Sequence, residues 1–362
     1  MNKKIIFSSG GTGGHIFPTI NLMEYFSNKG YEVILVTDNK GNNFLKNYPK
    51  FKSYIITTDT PMKKNIVKQF FSLVKISYSI LESIFILKKE KPNLIIGFGG
   101  YVSFPISFAS KFFNFPLIVY ENNLILGRAN KYLLSTVKKL FVATAIPENL
   151  PEKYKSKVEK VGPILNKNIA NYSYKKKSKN EIFSILVMGG SQGAEVFGKI
   201  VPSTIKMIKD KGFNLEIHQQ CLENQKNSIE KFYEKNKIKN NVFVFESNIL
   251  NLILSADLAI SRCGASTTAE LVHTCTPFIA VPYPYSLDNH QYLNAKYYED
   301  KNYCWLLEEN NFSSINLFNL IVKIINDKKK LENIRENMKK NYSGDTYKKI
   351  ENSIKEIIKN EN

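Results

Sequence analysis

Apolar residues run along this chain in short β-rich blocks, each followed by a glycine-rich or polar turn and then by a helical period. Residues 5–7, 10–14 and 17–27 read as strand, loop and helix, the helix ends at Gly30, and 31–37 alternates like a further strand. The same unit restarts at 183–188, with a glycine turn at 189–193 and a helix from about Ala194. Other strand candidates are 94–96, 117–120 and 140–143, the last closing a first sheet, then 214–219, 242–245, 258–261 and 277–281. Strands alternating with helices from two separate starts predict an α/β chain of two doubly wound, Rossmann-like domains facing a cleft. The boundaries that follow are 1–165 for the first domain, a polar, lysine-rich linker at 166–181, 182–342 for the second, and a closing helix at 343–362. The tail from about Asn316 reads as two helices with a break around Ser343-Gly344.

One longer segment, 62–90, has a helical period. At 100° per residue Ile66, Phe70, Leu73, Ile80, Leu81, Ile84 and Leu87 share one side, the expected core-facing stripe. Lys64, Lys68 and Lys75 fall opposite, with Phe71 and Tyr78 among them, a mixture suited to an anionic lipid surface or to plain solvation. Phe112 and Phe113, beside Lys111, form a second possible contact. The uncharged stretch 92–110 is too broken by Gly97, Gly99, Gly100 and Pro105 to read as a spanning helix, and no transmembrane segment or signal peptide is expected.

Composition sharpens this only in places. The 362 residues suit two domains, and 43% apolar with 23% charged is ordinary globular usage. The net charge of +19 asks for an anionic partner: a phosphorylated substrate, a membrane surface or nucleic acid. Residues 1–170 carry 24 basic against 10 acidic side chains, and 171–362 carry 27 against 22, so the excess sits in the first half. With no aromatic-rich binding sheet or basic recognition helix beside it, nucleic acid is the weakest of the three. Four scattered cysteines, Cys221, Cys263, Cys275 and Cys304, give neither a disulfide framework nor metal-ligand spacing.

Chemistry concentrates at the strand ends. Gly10-Gly11-Thr12-Gly13-Gly14-His15 lies between a strand and a helix, where glycines allow positive φ and close approach, and the helix start offers N–H groups to a phosphate. The spacing is neither GxGxxG nor Walker A, which argues against dinucleotide binding and ATP hydrolysis. His15 at the helix start is a candidate general base, or else a histidine that merely caps the helix. The second run is Ser261-Arg262-Cys263-Gly264-Ala265-Ser266-Thr267-Thr268-Ala269-Glu270. Its small residues leave amides open to a diphosphate, Ser266, Thr267 and Thr268 add hydroxyl donors, and Glu270 can accept both hydroxyls of a ribose. Capping and dipole compensation account for each of these residues singly, but not for the whole run. Gly189-Gly190-Ser191-Gln192-Gly193 can lend amides and the Ser191 hydroxyl to the same phosphates, and the 282–291 loop brings Asn289 and Gln291 toward sugar hydroxyls.

Taken in order, the glycine loop with His15, Gly97-Phe98-Gly99-Gly100-Tyr101-Val102-Ser103, the 189–193 turn, the 262–270 run and the 289–295 segment resemble the MurG family, across nearly the whole chain. The resemblance implies a B-type glycosyltransferase fold and inverting transfer of N-acetylglucosamine from UDP-N-acetylglucosamine to the muramyl C4 hydroxyl of lipid I, giving lipid II for peptidoglycan. The first domain would take the lipid-linked acceptor at the cytoplasmic face of the membrane, as a peripheral protein on anionic phospholipid, and the second the nucleotide sugar. His15 would be the base, and Thr12, Gly13, Gly14, Asn123, Ser191, Ala265, Ser266, Thr267, Thr268, Ala269, Glu270 and Gln291 the substrate contacts. No Asp-x-Asp stands at a loop, so neither metal nor cofactor is expected. A UDP-sugar-dependent diacylglycerol glycosyltransferase of the same fold is the alternative. The chain departs from the family pattern at Tyr120 (usually His), Asn122 (usually Gln), His290 (usually Gln) and Asn166, where an arginine usually helps hold the donor phosphates; Arg262 or Lys167 would have to compensate.

Overall fold

The computed structural model describes residues 3–11, 13–45, 48, 50–60, 65–174, 182–190, 193–246, 248–340 and 345–360. Two units emerge, Met1–Asn166 with Ser343–Asn362, and Lys167–Tyr342. Thr12 and Ser191, two of the anticipated contacts, lie outside the described residues, as does the break at Ser343-Gly344.

The first unit holds seven strands: β1 (Lys4–Ser8), β2 (Glu32–Thr37), β3 (Lys52–Ile55), β4 (Leu94–Gly97), β5 (Leu117–Glu121), β6 (Lys139–Val142) and β7 (Val158–Lys160). Its helices are α1 (Gly13–Asn28), α2 (Asn39–Leu45), α3 (Ile66–Glu90), α4 (Gly100–Ala109) and α5 (Arg128–Leu133). The strand order is β3-β2-β1-β4-β5-β6-β7, parallel throughout. The second unit opens with α6 (Lys167–Ala170) and continues β8 (Phe183–Met188), α7 (Glu195–Asp210), β9 (Leu215–Gln220), α8 (Lys226–Lys235), β10 (Lys239–Phe243) and α9 (Ile249–Ser255). It closes with β11 (Leu258–Ser261), α10 (Ala265–His273), β12 (Phe278–Ala280), α11 (His290–Asp300), β13 (Cys304–Leu306), α12 (Ser314–Asn326) and α13 (Lys328–Lys340). Its sheet, also parallel, runs β10-β9-β8-β11-β12-β13.

Both orders reverse beside the first strand of the unit, between β1 and β4 and between β8 and β11. Ligands in open parallel sheets bind at the carboxyl ends of strands flanking such a reversal. All four glycine-rich segments singled out in the sequence follow those four strands. The first sheet does not close at 140–143: β7 adds an edge beyond β6. β3 and β13, also edge strands, are only four and three residues long, too short for alternation to show them.

Alternate strand residues feed opposite cores. Ile5 and Phe7 face one, with Ile16, Ile20 and Phe26 of α1, and Ile6, Ile34 and Ile95 face the other. The tail contains three helices rather than two, and the last, α14 (Thr346–Asn360), belongs to the first unit. Its Ile350, Ile354, Ile357 and Ile358 complete the α1 core, and Glu351 accepts from the Tyr25 hydroxyl at 2.5 Å. The start of the expected 166–181 linker is ordered as α6, which packs on α10.

α3 reverses the face expected of it. Ile66, Phe70, Leu73 and Leu81 are exposed, Ile80 and Ile84 are half-buried, and only Leu87 of the expected stripe is fully buried. The inner face reads Ser72, Ser79, Ser83, Ile86, Leu87 and Glu90. It lies against α4, whose Ser103 and Ser107 are also buried. Small side chains let the two backbones approach, and the hydroxyls bond back to their own helices: Ser72 to Lys68 O, Ser79 to Ile76 O, Ser83 to Ser79 O. By length and composition α3 could cross a membrane. Its serine face is engaged by the domain.

Candidate active site

In the first unit, β1 delivers the glycine loop and α1 begins at Gly13, with half-buried His15 in its first turn. None of Gly10, Gly11, Gly13 and Gly14 has positive φ, so turning is not the reason for these glycines. Crowding is the reason at two of them. A Cβ on Gly10 would come within 2.8 Å of Val102 Cγ2, and one on Gly11 within 2.3 Å of Lys40 Cβ. At Gly14 the same position is open, leaving backbone exposed for a ligand. The positive φ occurs instead at Gly99 (+82°) and Gly100 (+75°), after β4, and the His15 ring lies along this ridge.

β5 ends at Glu121, a carboxylate that is almost fully buried. Oε1 accepts from Asn123 N (3.1 Å) and Nδ2 (3.4 Å), and Oε2 from Gly127 N (2.8 Å) and Asn130 Nδ2 (2.9 Å). Burial pushes its pKa up against these four bonds. Asn123, an anticipated substrate contact, therefore has its amide nitrogen committed to Glu121. Asn130 does not stand among the site residues the sequence suggested, because nothing in a nine-residue spacing announces its pairing with Glu121.

In the second unit, Gly189 N donates to Gln220 Oε1 at 3.0 Å, and Gly190 and Gly193 take φ of +79° and +71°. β11 leads through Arg262, Cys263 and Gly264 into α10. Ala265, Ser266, Thr267 and Glu270 are half-buried, but Thr268 and Ala269 are buried. The Thr268 hydroxyl donates to Gly264 O (3.1 Å) and Ala265 O (3.2 Å) at the helix start. Burial raises the Glu270 carboxyl to about 7. Gln291 Oε1 accepts from both Cys263 N (3.1 Å) and Tyr283 N (3.0 Å), which ties the β11 and β12 loops and leaves its NH2 group as donor. Arg262 cannot stand in for a missing phosphate ligand. Its guanidinium lies between the Phe197 and Tyr283 rings, bonds Val281 O and Pro282 O, and pairs with Glu309 Oε2 at 2.5 Å.

Models of the glycosyltransferase family 28 N-terminal and C-terminal domains match residues 5–142 and 184–359. The chain is 37% identical over 359 residues to the UDP-N-acetylglucosamine--N-acetylmuramyl-(pentapeptide) pyrophosphoryl-undecaprenol N-acetylglucosamine transferase of Rickettsia canadensis, covering 98% of this chain and 100% of that one. It is 34% identical to the protein of the same name from Pelagibacter ubique over the whole of both chains. This chain belongs to the MurG family. The crystal structure of Acinetobacter baumannii MurG superposes with a TM-score of 0.79 at 22% identity, covering 98% of this chain and 99% of that one, so the B-type glycosyltransferase fold is shared. Two of this chain's departures from the MurG pattern are physically coupled. The hydroxyl of buried Tyr120 lies 3.3 Å from both Asn122 Oδ1 and Gly162 O and accepts from Ile164 N at 3.2 Å. Tyr120 thus ties the end of β5 to the segment leading into Asn166.

Proposed function

We infer that this chain transfers N-acetylglucosamine from UDP-N-acetylglucosamine to the muramyl C4 hydroxyl of undecaprenyl-pyrophosphoryl-N-acetylmuramyl-pentapeptide. The observation that carries the reading is end-to-end likeness, at 34–38% identity, to transferases of that name. Chemistry-bearing segments at both strand-order reversals support it. His15 takes the proton of the C4 hydroxyl as that oxygen attacks C1 of the donor, and UDP leaves from the opposite face with inversion. Negative charge growing on the diphosphate meets the N-terminus of α10 and the amides of the 189–193 turn. In this reading half-buried Ala265, Ser266 and Thr267 make that contact, Glu270 takes the ribose and the Gln291 NH2 the sugar. Thr12, Gly13, Gly14 and Asn123 also contact the donor in this reading.

The outer face of α3 supports work at a membrane surface. Ile66, Phe70, Phe71 and Phe85 are 83%, 64%, 60% and 71% exposed, and Phe112 on the turn that follows α4 is 60% exposed. Lys68, Lys75 and Lys111, all exposed, flank them. Aromatics enter the headgroup boundary while each lysine adds roughly 1 kcal/mol on an anionic leaflet. This arrangement favours peripheral docking on anionic phospholipid at the cytoplasmic face.

UDP release tests the assignment: UDP-N-acetylglucosamine with a lipid I analogue, beside diacylglycerol, for the wild type and His15→Ala. Turnover with the lipid I analogue alone, lost in the variant, is expected. Turnover with diacylglycerol alone would overturn the acceptor, and full activity of His15→Ala would remove the base.

A further inference from the structure

Beneath the Gly99–Gly100 ridge lies an arrangement the reaction scheme above does not use. Asn130 is 2% exposed, and its Nδ2 donates to Glu121 Oε2 at 2.9 Å. Its Oδ1 is buried and has no hydrogen-bond partner among the described residues. Flipping the amide would set that oxygen against the carboxylate, so Glu121 fixes which end is free. The place a Gly99 Cβ would occupy is 3.2 Å from Asn130 Nδ2, 3.5 Å from Oδ1 and 3.6 Å from His15 Cε1. The amide and the Cε1 edge of the imidazole therefore both border the space that residue 99 leaves by having no side chain.

We propose that Asn130 is a positioning residue that, oriented by Glu121, turns its free amide oxygen toward His15 and steadies the imidazolium formed when the acceptor hydroxyl gives up its proton. The proposal rests on His15 serving as the base. A buried acceptor without a partner costs the fold about 1–3 kcal/mol, so its retention asks for a reason. Here the reason is a chain of three groups: the carboxylate polarises the amide through its N–H, and the carbonyl end presents the resulting negative charge to the ring. It resembles the carboxylate of a hydrolase triad in effect, with a neutral amide as the last link. Other charged and titratable groups adjoin the same loop: Asp38 and Lys40 contact the Gly11 position, and the Tyr101 hydroxyl lies 3.4 Å from Asp38 Oδ2. Both variants below leave them in place.

The chain has four histidines, His15, His218, His273 and His290, so Cε1–H resonances of 13C-histidine-labelled protein are separable and His15→Gln identifies the relevant one. Asn130→Ala is expected to lower the His15 titration midpoint by about half a unit or more, and Glu121→Gln to lower it by less. The acid limb of kcat should move by the same amount, with kcat at pH 7 down about tenfold and KM for the nucleotide sugar unchanged. An unmoved His15 titration in folded variants overturns the proposal, whatever happens to turnover. A titration that shifts while the acid limb stays still upholds the contact and overturns His15 as base. Should Asn130→Ala fail to fold, the near-isosteric Glu121→Gln gives the same reading.

Discussion

Glu270 sits in the second turn of α10 with its carboxyl raised to about 7 by burial, against 4.5 for an ordinary glutamate. A carboxyl raised on folding favours the folded state when protonated, so Glu270 costs stability above pH 7 and the cost fades as pH falls toward 4.5. Under the proposed ribose contact, the hydroxyls need the charged form. KM for UDP-N-acetylglucosamine should therefore rise as pH drops below 7, measured by initial rates from pH 8 to pH 5.5. Glu270→Gln should show a KM about tenfold higher, flat across that range, and a higher melting temperature than wild type at pH 8. Arg262 belongs to the same scale with a different role. Removing it leaves Glu309 without its partner, so Arg262→Ala should lose about 3 kcal/mol or more in urea unfolding. A phosphate ligand would instead have raised the donor KM at unchanged stability.

Among the elements, α3 shows where pattern reading succeeds and fails. The rule that an apolar stripe faces the core assumes that the other side faces water. Serines at 72, 79 and 83 keep the helical period, but they are polar, so periodicity alone assigned the inner face to the wrong side. Ser79→Leu should clash with α4 and cost about 1–3 kcal/mol, whereas Phe70→Ser with Phe85→Ser should leave stability nearly unchanged. The outer pair should instead weaken sedimentation with anionic vesicles about tenfold or more while turnover of a water-soluble acceptor analogue persists. By contrast the glycine segments were legible, since each follows a β-rich run and each closes on a strand-order reversal. What glycine does there was legible only in part: positive φ holds at Gly99, Gly190 and Gly193 but not at Gly10 or Gly11, where Val102 and Lys40 take the space. Pairings such as Glu121 with Asn130, or Tyr120 with Gly162, depend on loops returning to a strand end, and no local signal carries them.

At the scale of the whole molecule, α14 joins the last residues of the chain to its first unit. Glu351 binds Lys355 and Tyr25, which hold its carboxyl at about 2, and Glu90, despite burial, is held at about 2 by Lys52, Tyr54 and Lys4. Both values lie below the unfolded 4.5, so the stability they give is complete above about pH 4.5 and lost as pH falls toward 2. Melts between pH 6 and pH 3 should show the first unit failing first, and Glu351→Gln should flatten part of that slope. Deleting 345–362 uncovers the α1 core, where four isoleucines contribute about 6–12 kcal/mol of burial. The truncated chain should bind a hydrophobic dye and lose turnover.

That return of α14 has a consequence during synthesis. The first 166 residues leave the ribosome with a sheet and helices but with an open groove along α1, and what fills it is translated only after the second unit. Until then the nascent chain carries a hydrophobic gap that chaperones can recognise, and the first unit cannot mature before the second has been made. A stop codon anywhere in the second unit therefore disables the first as well. Partial products should be cleared together, and supplying 345–360 as a separate peptide should rescue a chain that ends at 342.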